Sequence, residues 1–459
     1  EFVGRMDLQR FYEGIKALEG VAGREPWDPR LLISLWVYSY SRGIGSAREV
    51  SRRCQYDPAF QWLTGMQEIN YHTLSDFRVG YGAALDELFV QALGLLSAEG
   101  LITLDRVMQD GTKIRALAGS DSFRREKRVR EHLAAAREQV QAMGDPAQDV
   151  TPRQRAARQR AARERQGRME QAMSELEKVR QTKTGAESRE QARVSLTDPE
   201  SRIMKESNGG CGPSYNVQVS TDAAAGIIVG VGVSQSSSDY GELVDGVQRV
   251  EQNLGHKPEQ VVVDGGFTSR ENILEMEHRD VDLIGSLDDY SAQSAGQMKR
   301  RGVNEAFYPQ AFTYDGQRDE FRCPAGQALR YESQEKRVGV THYRYRGAWA
   351  TCRGCPHKGE CCPGNAGTGR SITRAVEAPA VQAFLDKMRT TAAKAAYRLR
   401  GAVAEFPNCW IKAKLGLRQF HVRGLEKVRR ESVWACLTHN IQQWTRLRWR
   451  AQLAMEVAM

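Results

Sequence analysis

The sequence predicts an α/β protein in which a mixed sheet packs against helices, and two observations indicate this fold class. Residues 1 to about 100 show helical periodicity throughout. Strand patterns follow, and in the second half of the chain their order is strand, strand, helix, strand, helix, strand. The chain has 459 residues, which is long enough for two or more domains.

The composition is that of a globular protein, with 41% hydrophobic and 27% charged residues. The net charge of +9 favours a polyanionic partner, although many proteins are basic for other reasons. We expect no membrane partner, because no apolar run reaches the length of a membrane span. Residues 1–5 contain neither a signal-peptide core nor an initiator Met, which is compatible with a trimmed amino terminus.

The amino-terminal 100 residues predict short helices separated by glycine turns. Pro29–Tyr40 predicts an apolar helix, Ser46–Glu49 is a capping box, and Asn70–Arg78 predicts another capped helix. This pattern is typical of helix-turn-helix DNA-binding domains. A plain helical bundle with solvated arginines explains it at least as well. The side chains that can face phosphates are Arg42, Arg48, Arg52, Arg53, His72 and Arg78.

Two stretches place an aspartate before a glycine at the end of an apolar strand. In Glu259–Phe267, three valines predict a strand buried on both faces that a glycine pair stops at Asp264. In Arg106–Thr112 the strand ends at Asp110, and the next residues are its expected hairpin partner, Thr112–Ala116. Two carboxylates at strand ends can hold a divalent cation. Taken singly, each Asp-Gly is better explained as a turn.

Residues 122–190 are dominated by Arg, Glu, Gln and Ala, which predicts a charged helical hairpin or coiled coil broken near Gly144–Pro146 and Pro152. This segment can dimerise the protein or grip DNA, and a solvated insertion without either role is an equal alternative. The strands and helices expected after it are a strand at Tyr215–Asp222, a strand at Gly226–Ser234, a helix at Gly241–Asn253, a helix at Ser269–His278 and a strand at Val281–Gly285.

Four cysteines have the spacing of a zinc site, C-x28-C-x2-C-x5-C: Cys323, Cys352, Cys355 and Cys361. His357 and Cys362 are alternatives for the fourth ligand, and reduced buried thiols are the competing interpretation. Four thiolates leave no open position, so we expect a structural zinc ion. Clustered cysteines of this kind suit a reducing cytoplasm better than a disulfide framework.

The carboxyl-terminal part predicts a basic amphipathic helix over Pro379–Arg400 that continues to Lys412. Basic residues follow it, with aromatic residues interleaved, and this pattern suits a phosphate backbone and unstacked bases. The alternative is a helix pair whose aromatics are core. The aromatic residues concerned are Phe406, Trp410, Phe420 and Trp434.

In their order along the chain, these motifs resemble a DDE transposase of bacterial insertion sequences, of the class with a Tyr-Arg-Glu-Lys signature. The resemblance covers essentially the whole chain. Its motifs are Gln109–Thr112, Tyr215–Gln218, Val263–Gly266, the helix carrying Tyr397, Arg400, Glu405 and Lys412, and Gly416–Phe420.

The resemblance implies an RNase H-like core in which Asp110, Asp264 and Glu405 hold Mg²⁺ or Mn²⁺. It also implies that residues around the glutamate and in the amino-terminal domain contact DNA: Tyr397, Arg400, Trp410, Lys412, Arg48, Arg52 and Arg53. Four residues separate Arg400 from Glu405, where the signature has three. Glu431 is the competing third acid, and we expect Glu431→Gln to retain activity.

The implied activity is metal-dependent cleavage at element ends in double-stranded DNA and transfer of the 3′-OH into target DNA. We expect a cytoplasmic, nucleoid-associated bacterial protein that acts as a homodimer. The alternatives are a metal-dependent nuclease without strand transfer and a catalytically silent DNA-binding regulator. The expected domains are a DNA-binding domain (1–100), the core (101–121 and 191–287), a charged insertion (122–190), a cysteine-rich insertion (288–376) and helices that complete the core (377–459).

Overall fold

A computed structural model describes residues 1–13, 26–143, 151–206, 209–287, 290–364 and 367–449. The chain divides into two compact units. The first unit comprises Glu1–Glu259 and Leu399–Met459, and the second comprises Gln260–Arg398.

The helices are α1 (Gln9–Glu13), α2 (Pro29–Ser41), α3 (Ala47–Tyr56), α4 (Pro58–Leu63), α5 (Tyr71–Gly80), α6 (Gly82–Ala98), α7 (Glu126–Ala142), α8 (Pro152–Gln181), α9 (Ala186–Glu190), α10 (Leu243–Leu254), α11 (Arg270–His278), α12 (Tyr290–Arg300), α13 (Trp349–Arg353), α14 (Lys358–Cys361), α15 (Pro379–Arg389), α16 (Thr391–Arg398), α17 (Phe406–Ala413) and α18 (Leu425–Trp444). Two π-helical turns occupy Gly401–Glu405 and Thr445–Trp449.

The strands are β1 (Arg106–Arg115), β2 (Phe123–Arg125), β3 (Arg193–Ser195), β4 (Arg202–Lys205), β5 (Cys211–Asp222), β6 (Ile228–Ser234), β7 (Gln260–Val262), β8 (Asp282–Ile284), β9 (Thr313–Asp315), β10 (Glu320–Arg322), β11 (Ala328–Arg337), β12 (Val340–Gly347) and β13 (Ser371–Glu377). The mixed α/β class is therefore confirmed.

The amino-terminal region is helical from α1 to α6, as the periodicity predicts. Its helices bury apolar faces in one core, and in α2 both Trp36 and Tyr40 are fully buried. The predicted caps are present, since Ser46 accepts from the backbone N of Glu49 and Asn70 accepts from that of His72. Each cap satisfies a backbone N–H that the helix itself leaves without a partner.

Strand β5 is the centre of the sheet in the first unit. It pairs antiparallel with β1 along one edge, and with β4 and then β6 along the other. Helices α10 and α18 pack on β6, and α18 also packs on α2 and α6. The side chain of Asn440 in α18 accepts from the backbone N of Ile228 and donates to its carbonyl, both at 2.8 Å. This satisfies the first residue of β6 inside the core.

One local prediction is wrong. Asp110 does not end a strand before a hairpin, because Arg106–Arg115 is a single ten-residue strand. Gly111 stays in the ladder opposite Gln218. A Cβ at Gly111 would lie 2.3 Å from Oδ1 of Asp239, so the glycine permits a close approach rather than a turn.

The charged segment forms a helical hairpin of α7 and α8, as predicted. The two helices pack through small and apolar residues that include Val129, Ala136, Ala162 and Leu176, all buried. The two-stranded ribbon β2–β3 lies at the base of the hairpin. Helix α8 starts at Pro152 behind the cap of Thr151. The predicted break at 144–146 lies outside the described residues.

In the second unit, β7 and β8 pair in parallel, joined by α11, as the sequence predicts. The valines Val261, Val262 and Val263 are fully buried. The cysteine-rich segment contains a five-stranded antiparallel sheet in the order β13-β12-β11-β10-β9, which the sequence did not predict. By length and apolar content, no single described helix qualifies as a membrane span, and only the bent pair α5–α6 meets that criterion jointly.

Candidate functional site

Asp110 lies half-buried in β1 of the first unit. Its Oδ2 accepts a hydrogen bond at 3.0 Å from Nδ2 of Asn408, a buried residue of α17. Strand β1 also contacts the π turn Gly401–Glu405 that precedes α17. The first unit therefore brings the strand of Asp110 and the helical segment of Glu405 against each other.

The π turn Gly401–Glu405 explains how the helix accommodates its unusual spacing. In an α-helix, residues five apart do not face each other, whereas a π turn adds one residue and restores the alignment. Accordingly, Nη2 of Arg400 lies 3.0 Å from Oε1 of Glu405. The extra residue that distinguishes this chain from the signature is thus absorbed locally, and the Glu405 side chain remains 56% exposed.

A polar network on the face of β1 opposite the Asp110 side chain is centred on Asp239, which the sequence analysis did not single out. Its carboxylate accepts from Nζ of Lys113 at 3.2 Å, from Asn216 at 2.6 Å and from Gln218 at 2.7 Å. Its Oδ1 occupies the space left by the missing Cβ of Gly111. The only sequence signal was an acid in the serine-rich loop after β6.

The surroundings of Asp110 offer one further oxygen ligand for a hard cation. The side-chain oxygen of Asn408, whose amide donates to Asp110, is buried and has no hydrogen-bond partner within the described part of the chain. The buried side-chain oxygens of Asn216 and Gln218 lie on the other face of the sheet, because these residues are paired with Lys113 and Gly111. Carboxylate and amide oxygens are the ligands that Mg²⁺ prefers. Within the same described residues, no three Asp, Glu, His or Cys side chains stand in metal-binding geometry. Asp110 and Asn408 therefore fit Mg²⁺ by the chemistry of their oxygens.

Lys412 and Trp410 follow Glu405 in α17. Lys412 is half-buried, and burial holds the pKa of its ammonium below the ordinary value, against the attraction of Asp110. The indole of Trp410 donates to Oε1 of Gln442 at 2.9 Å and its ring lies 5.4 Å from that of Phe406. Phe406 is the more exposed of the two rings, so it is the better placed to meet a DNA base.

Asp264 and Tyr397 belong to the second unit. Asp264 follows β7, is half-buried, and its Oδ1 accepts from the backbone N of Gly266 at 2.8 Å. Thr268 donates to the Asp264 carbonyl at 2.9 Å, which fixes the turn. Tyr397 is half-buried near the end of α16.

The predicted DNA-binding arginines lie on α3, and they differ in their partners. Arg52 forms an ion pair with Glu49, and Arg53 pairs with Glu49 at 2.8 Å and Asp57 at 3.1 Å. The guanidinium of Arg48 lies over the ring of Tyr71, 5.0 Å from its centre. Arg48 therefore has the charge most open to a phosphate, while Arg52 and Arg53 would exchange partners.

Glu431, the competing third acid, is fully buried in α18. Its Oε1 lies 3.3 Å from Arg78 and 2.9 Å from Nδ1 of His421, and its Oε2 accepts from the His421 backbone. Burial would raise the pKa of Glu431, but the charge of Arg78 and the His421 hydrogen bonds hold it below the usual range. A carboxylate enclosed in this way is structural. Arg78, one of the cations expected to face phosphates, is also buried.

The cysteine-rich segment encloses a small cavity of about 30 Å³. All the predicted zinc ligands and their alternatives line it: Cys323, Cys352, Cys355, His357, Cys361 and Cys362. Burial raises the pKa of Cys361 to about 12, and neighbouring thiols add to the rise. Sγ of Cys323 accepts from the backbone N of Gln327 at 3.3 Å, which orients the sulfur of this predicted ligand.

Two stretches of the chain match families of known proteins. Residues 322–445 match the family described as Transposase DDE domain, and residues 3–79 match Transposase domain (DUF772). No curated protein matches the chain. The first match includes Glu405 and the second includes the helix of Arg48. The chain thus carries two transposase domains, and the DDE domain implies DNA transposition as its general activity.

Proposed function

We propose that the protein is a DDE transposase that cleaves DNA at the ends of its element and joins the freed 3′-OH to target DNA. Asp110, Asp264 and Glu405 would form the metal-binding triad on an RNase H-like core, and the active complex would be a homodimer. The observation that carries the proposal is the π turn, which pairs Arg400 with Glu405 inside the matched DDE domain and against the strand of Asp110.

The chain's own residues have separate tasks in this reaction. Asp110, Asp264 and Glu405 supply the negative charge that holds the cations, and Asn408 orients Asp110 through its amide. When bound, Mg²⁺ ions activate the attacking oxygen and neutralise charge on the phosphate. Glu405 would be a ligand of the bound ion, and the guanidinium of Arg400, which pairs with Glu405, would then be available to the DNA backbone. Lys412, whose ammonium is attracted by the charge of Asp110, would hold a neighbouring phosphate oxygen.

The test is incubation of the full chain with labelled element-end duplexes, a target plasmid and Mg²⁺ or Mn²⁺. Joined products in both strands of the target support a transposase. Cut ends without joining would instead identify a nuclease. Intact ends at every metal concentration, with DNA still bound, would identify a regulator without catalysis.

For the amino-terminal domain we propose a role in recognising element ends. Arg48 carries this proposal because its guanidinium is not committed to a carboxylate in the described part of the chain. Arg48→Gln should weaken end binding more than Arg52→Gln, since Arg52 already pairs with Glu49. Equal affinities in gel shifts at matched salt would make this helix a scaffold element.

For the cysteine-rich segment we propose one structural Zn²⁺, held by Cys323, Cys352, Cys355 and Cys361. The shared cavity and the hydrogen bond to Cys323 support it. Elemental analysis should find about one zinc per chain. Serine at any of the four should lower that ratio, whereas serine at Cys54 or Cys436, which are buried elsewhere, should leave it unchanged. A zinc-free preparation that is fully folded contradicts the proposal.

A further inference from the structure

A groove in the first unit lies at the base of the charged hairpin and has a volume of about 900 Å³. Its walls come from the end of α8, the ribbon β2–β3, strand β4 and the loop after β6. Five cations and no carboxylate line it. The cations are Arg125, Lys178, Lys183, Arg193 and Arg202.

Two of these cations are neutralised by a buried carboxylate of the protein. Glu175 is buried, and its carboxylate pairs with Lys178 at 2.7 Å and with Arg202. The other three, Arg125, Lys183 and Arg193, form no ion pair with any acid in the described ranges. The groove therefore carries a net positive charge that the acids of the described ranges do not compensate.

The ribbon at the base of the hairpin places two of these charges in direct opposition. Arg125 and Arg193 are Cα partners in the antiparallel ladder of β2 and β3. Like charges directly opposite each other in a sheet are destabilising. The arrangement costs the free protein stability, and an anion between the two guanidinium groups would reverse that cost.

The groove continues towards Asp110 along a single loop. Gln235, Ser236 and Ser237 line the groove, and two residues later Asp239 contacts Lys113 and fills the space beside Gly111. Two residues span at most about 7 Å. A phosphodiester chain lying in the groove thus has its neighbouring phosphates within reach of Lys113 and of the β1 backbone next to Asp110.

We infer that this groove is a second DNA-binding surface, which holds the sugar–phosphate backbone of duplex DNA leading into the Asp110 site. Arg125 and Arg193 clamp one phosphate and Lys183 contacts another. The inference rests on the proposed function for the identity of the DNA, and it assigns the charged hairpin the role of positioning it.

The experiment compares two triple variants of the full chain that remove the same charge. The groove variant is Arg125→Gln, Lys183→Gln and Arg193→Gln. The control is Arg153→Gln, Arg158→Gln and Arg160→Gln, on the exposed far part of α8. Arg160 lies about 27 Å from Lys178 along the helix axis. Binding of an element-end duplex is measured by fluorescence anisotropy in Ca²⁺ at several salt concentrations.

We expect the groove variant to lose affinity by at least about tenfold and to reduce the salt slope of log K by about 2 to 3. In the control variant, the loss of DNA affinity and the change in salt slope should each be less than half of those in the groove variant. Equal losses in the two variants would mean that only total charge matters, and this would overturn the inference. Unchanged binding by the groove variant would also overturn it.

Two further measurements separate folding and catalysis from DNA binding. Arg193→Glu places an acid opposite Arg125, so its melting temperature should equal or exceed that of the wild type while DNA affinity falls. A lower melting temperature would contradict the like-charge argument. Nicking by the wild-type chain in Mg²⁺ tests the proposed function separately. If the wild type nicks DNA but the groove variant binds DNA as well as the wild type does, only the groove inference is wrong. If the groove variant loses DNA affinity but the wild type does not nick, only the proposed function is wrong.

Discussion

Two glutamates in the carboxyl-terminal helices, Glu405 and Glu431, each pair with an arginine, yet their surroundings differ completely. The Glu405 side chain is 56% exposed and its partner Arg400 is 21% exposed. Glu431 and its partner Arg78 are almost fully buried, and His421 and Tyr40 close the cluster. An acid that exchanges its partner for a metal ion needs an exposed environment like that of Glu405. The buried environment of Glu431 instead fixes the charge in place and stabilises the fold.

The surroundings of Asp239 are intermediate between those of Glu405 and those of Glu431. Its side chain is 20% exposed, and it holds Lys113, Asn216 and Gln218 on the face of the sheet opposite the Asp110 side chain. The three acids therefore differ in role. Glu405 is exposed and can exchange its partner, Asp239 supports its neighbours through hydrogen bonds, and Glu431 is enclosed in the core. Each role predicts a different consequence of removing the negative charge.

The largest effect on chemistry is expected for Glu405→Gln. The variant keeps size and removes the charge that a second metal ion needs, which is worth several kcal/mol and so about 10³-fold in nicking rate. Because Glu405 is exposed, the melting temperature should change little, and DNA affinity should survive or rise. Single-turnover nicking assays and thermal melts on one preparation test both halves. Wild-type nicking by this variant would remove Glu405 from the triad.

Glu431→Gln should act on stability instead. Breaking a buried pair leaves Arg78 without its counter-charge and should cost about 3–5 kcal/mol in the free energy of unfolding. This replaces the expectation from sequence that the variant simply retains activity, since activity will follow the folded fraction. Glu426→Gln, on the exposed face of the same helix, should cost less than about 0.5 kcal/mol. Equal denaturant midpoints for the two variants would contradict the contrast.

Low pH should also remove the charge of Glu431 in the wild-type protein and so lower its free energy of unfolding. The folded-state pKa of Glu431 is depressed, so its contribution to stability is complete above the unfolded pKa of about 4.3 and is lost as pH falls through the folded value. The unfolding free energy of the wild type should therefore fall below pH about 4 more steeply than that of Glu431→Gln. Parallel pH profiles would show that other carboxylates dominate acid unfolding.

Asp239→Asn should have an intermediate effect that appears in the metal dependence. Loss of its charge frees Lys113 and two amides on the face of β1 opposite the Asp110 side chain. This should shift the strand that carries Asp110 and raise the Mg²⁺ concentration for half-maximal nicking by about 10–100-fold. The rate at saturating Mg²⁺ should fall less than in Glu405→Gln. A purely structural role would lower the melting temperature and leave the Mg²⁺ midpoint unchanged.

The smallest effect is expected from deleting Ala402 in the π turn. The deletion brings Arg400 and Glu405 to the four-residue spacing of an α-helix, so their pairing and the nicking activity should persist. Inserting one alanine at the same place lengthens the turn again and should abolish nicking. If both variants nick equally, the alignment of Arg400 with Glu405 is not required for catalysis.

Local sequence patterns predicted the structural features that depend on residues close together in the chain. The valine run before Asp264, the caps of Ser46 and Asn70, and the charged hairpin could all be predicted in this way. The strand through Asp110 was not, because Gly111 is retained in it by contact with the distant Asp239. The five-stranded sheet escaped because β11 is almost wholly exposed and so lacks an alternating pattern. The burial of Glu431 depends on Arg78, 353 residues earlier, and the π turn was visible only as an anomalous spacing.

The central claim is that Asp110, Asp264 and Glu405 hold the same catalytic cations, and metal-directed cleavage of the protein tests it most directly. Fe²⁺ replaces Mg²⁺, ascorbate and peroxide generate hydroxyl radicals at the bound ion, and the fragments are mapped by mass spectrometry. The account predicts cuts near all three residues, suppressed by excess Mg²⁺ and lost in Glu405→Gln. Cuts confined to other segments, or cuts near Asp110 and Asp264 that persist in Glu405→Gln, would contradict it.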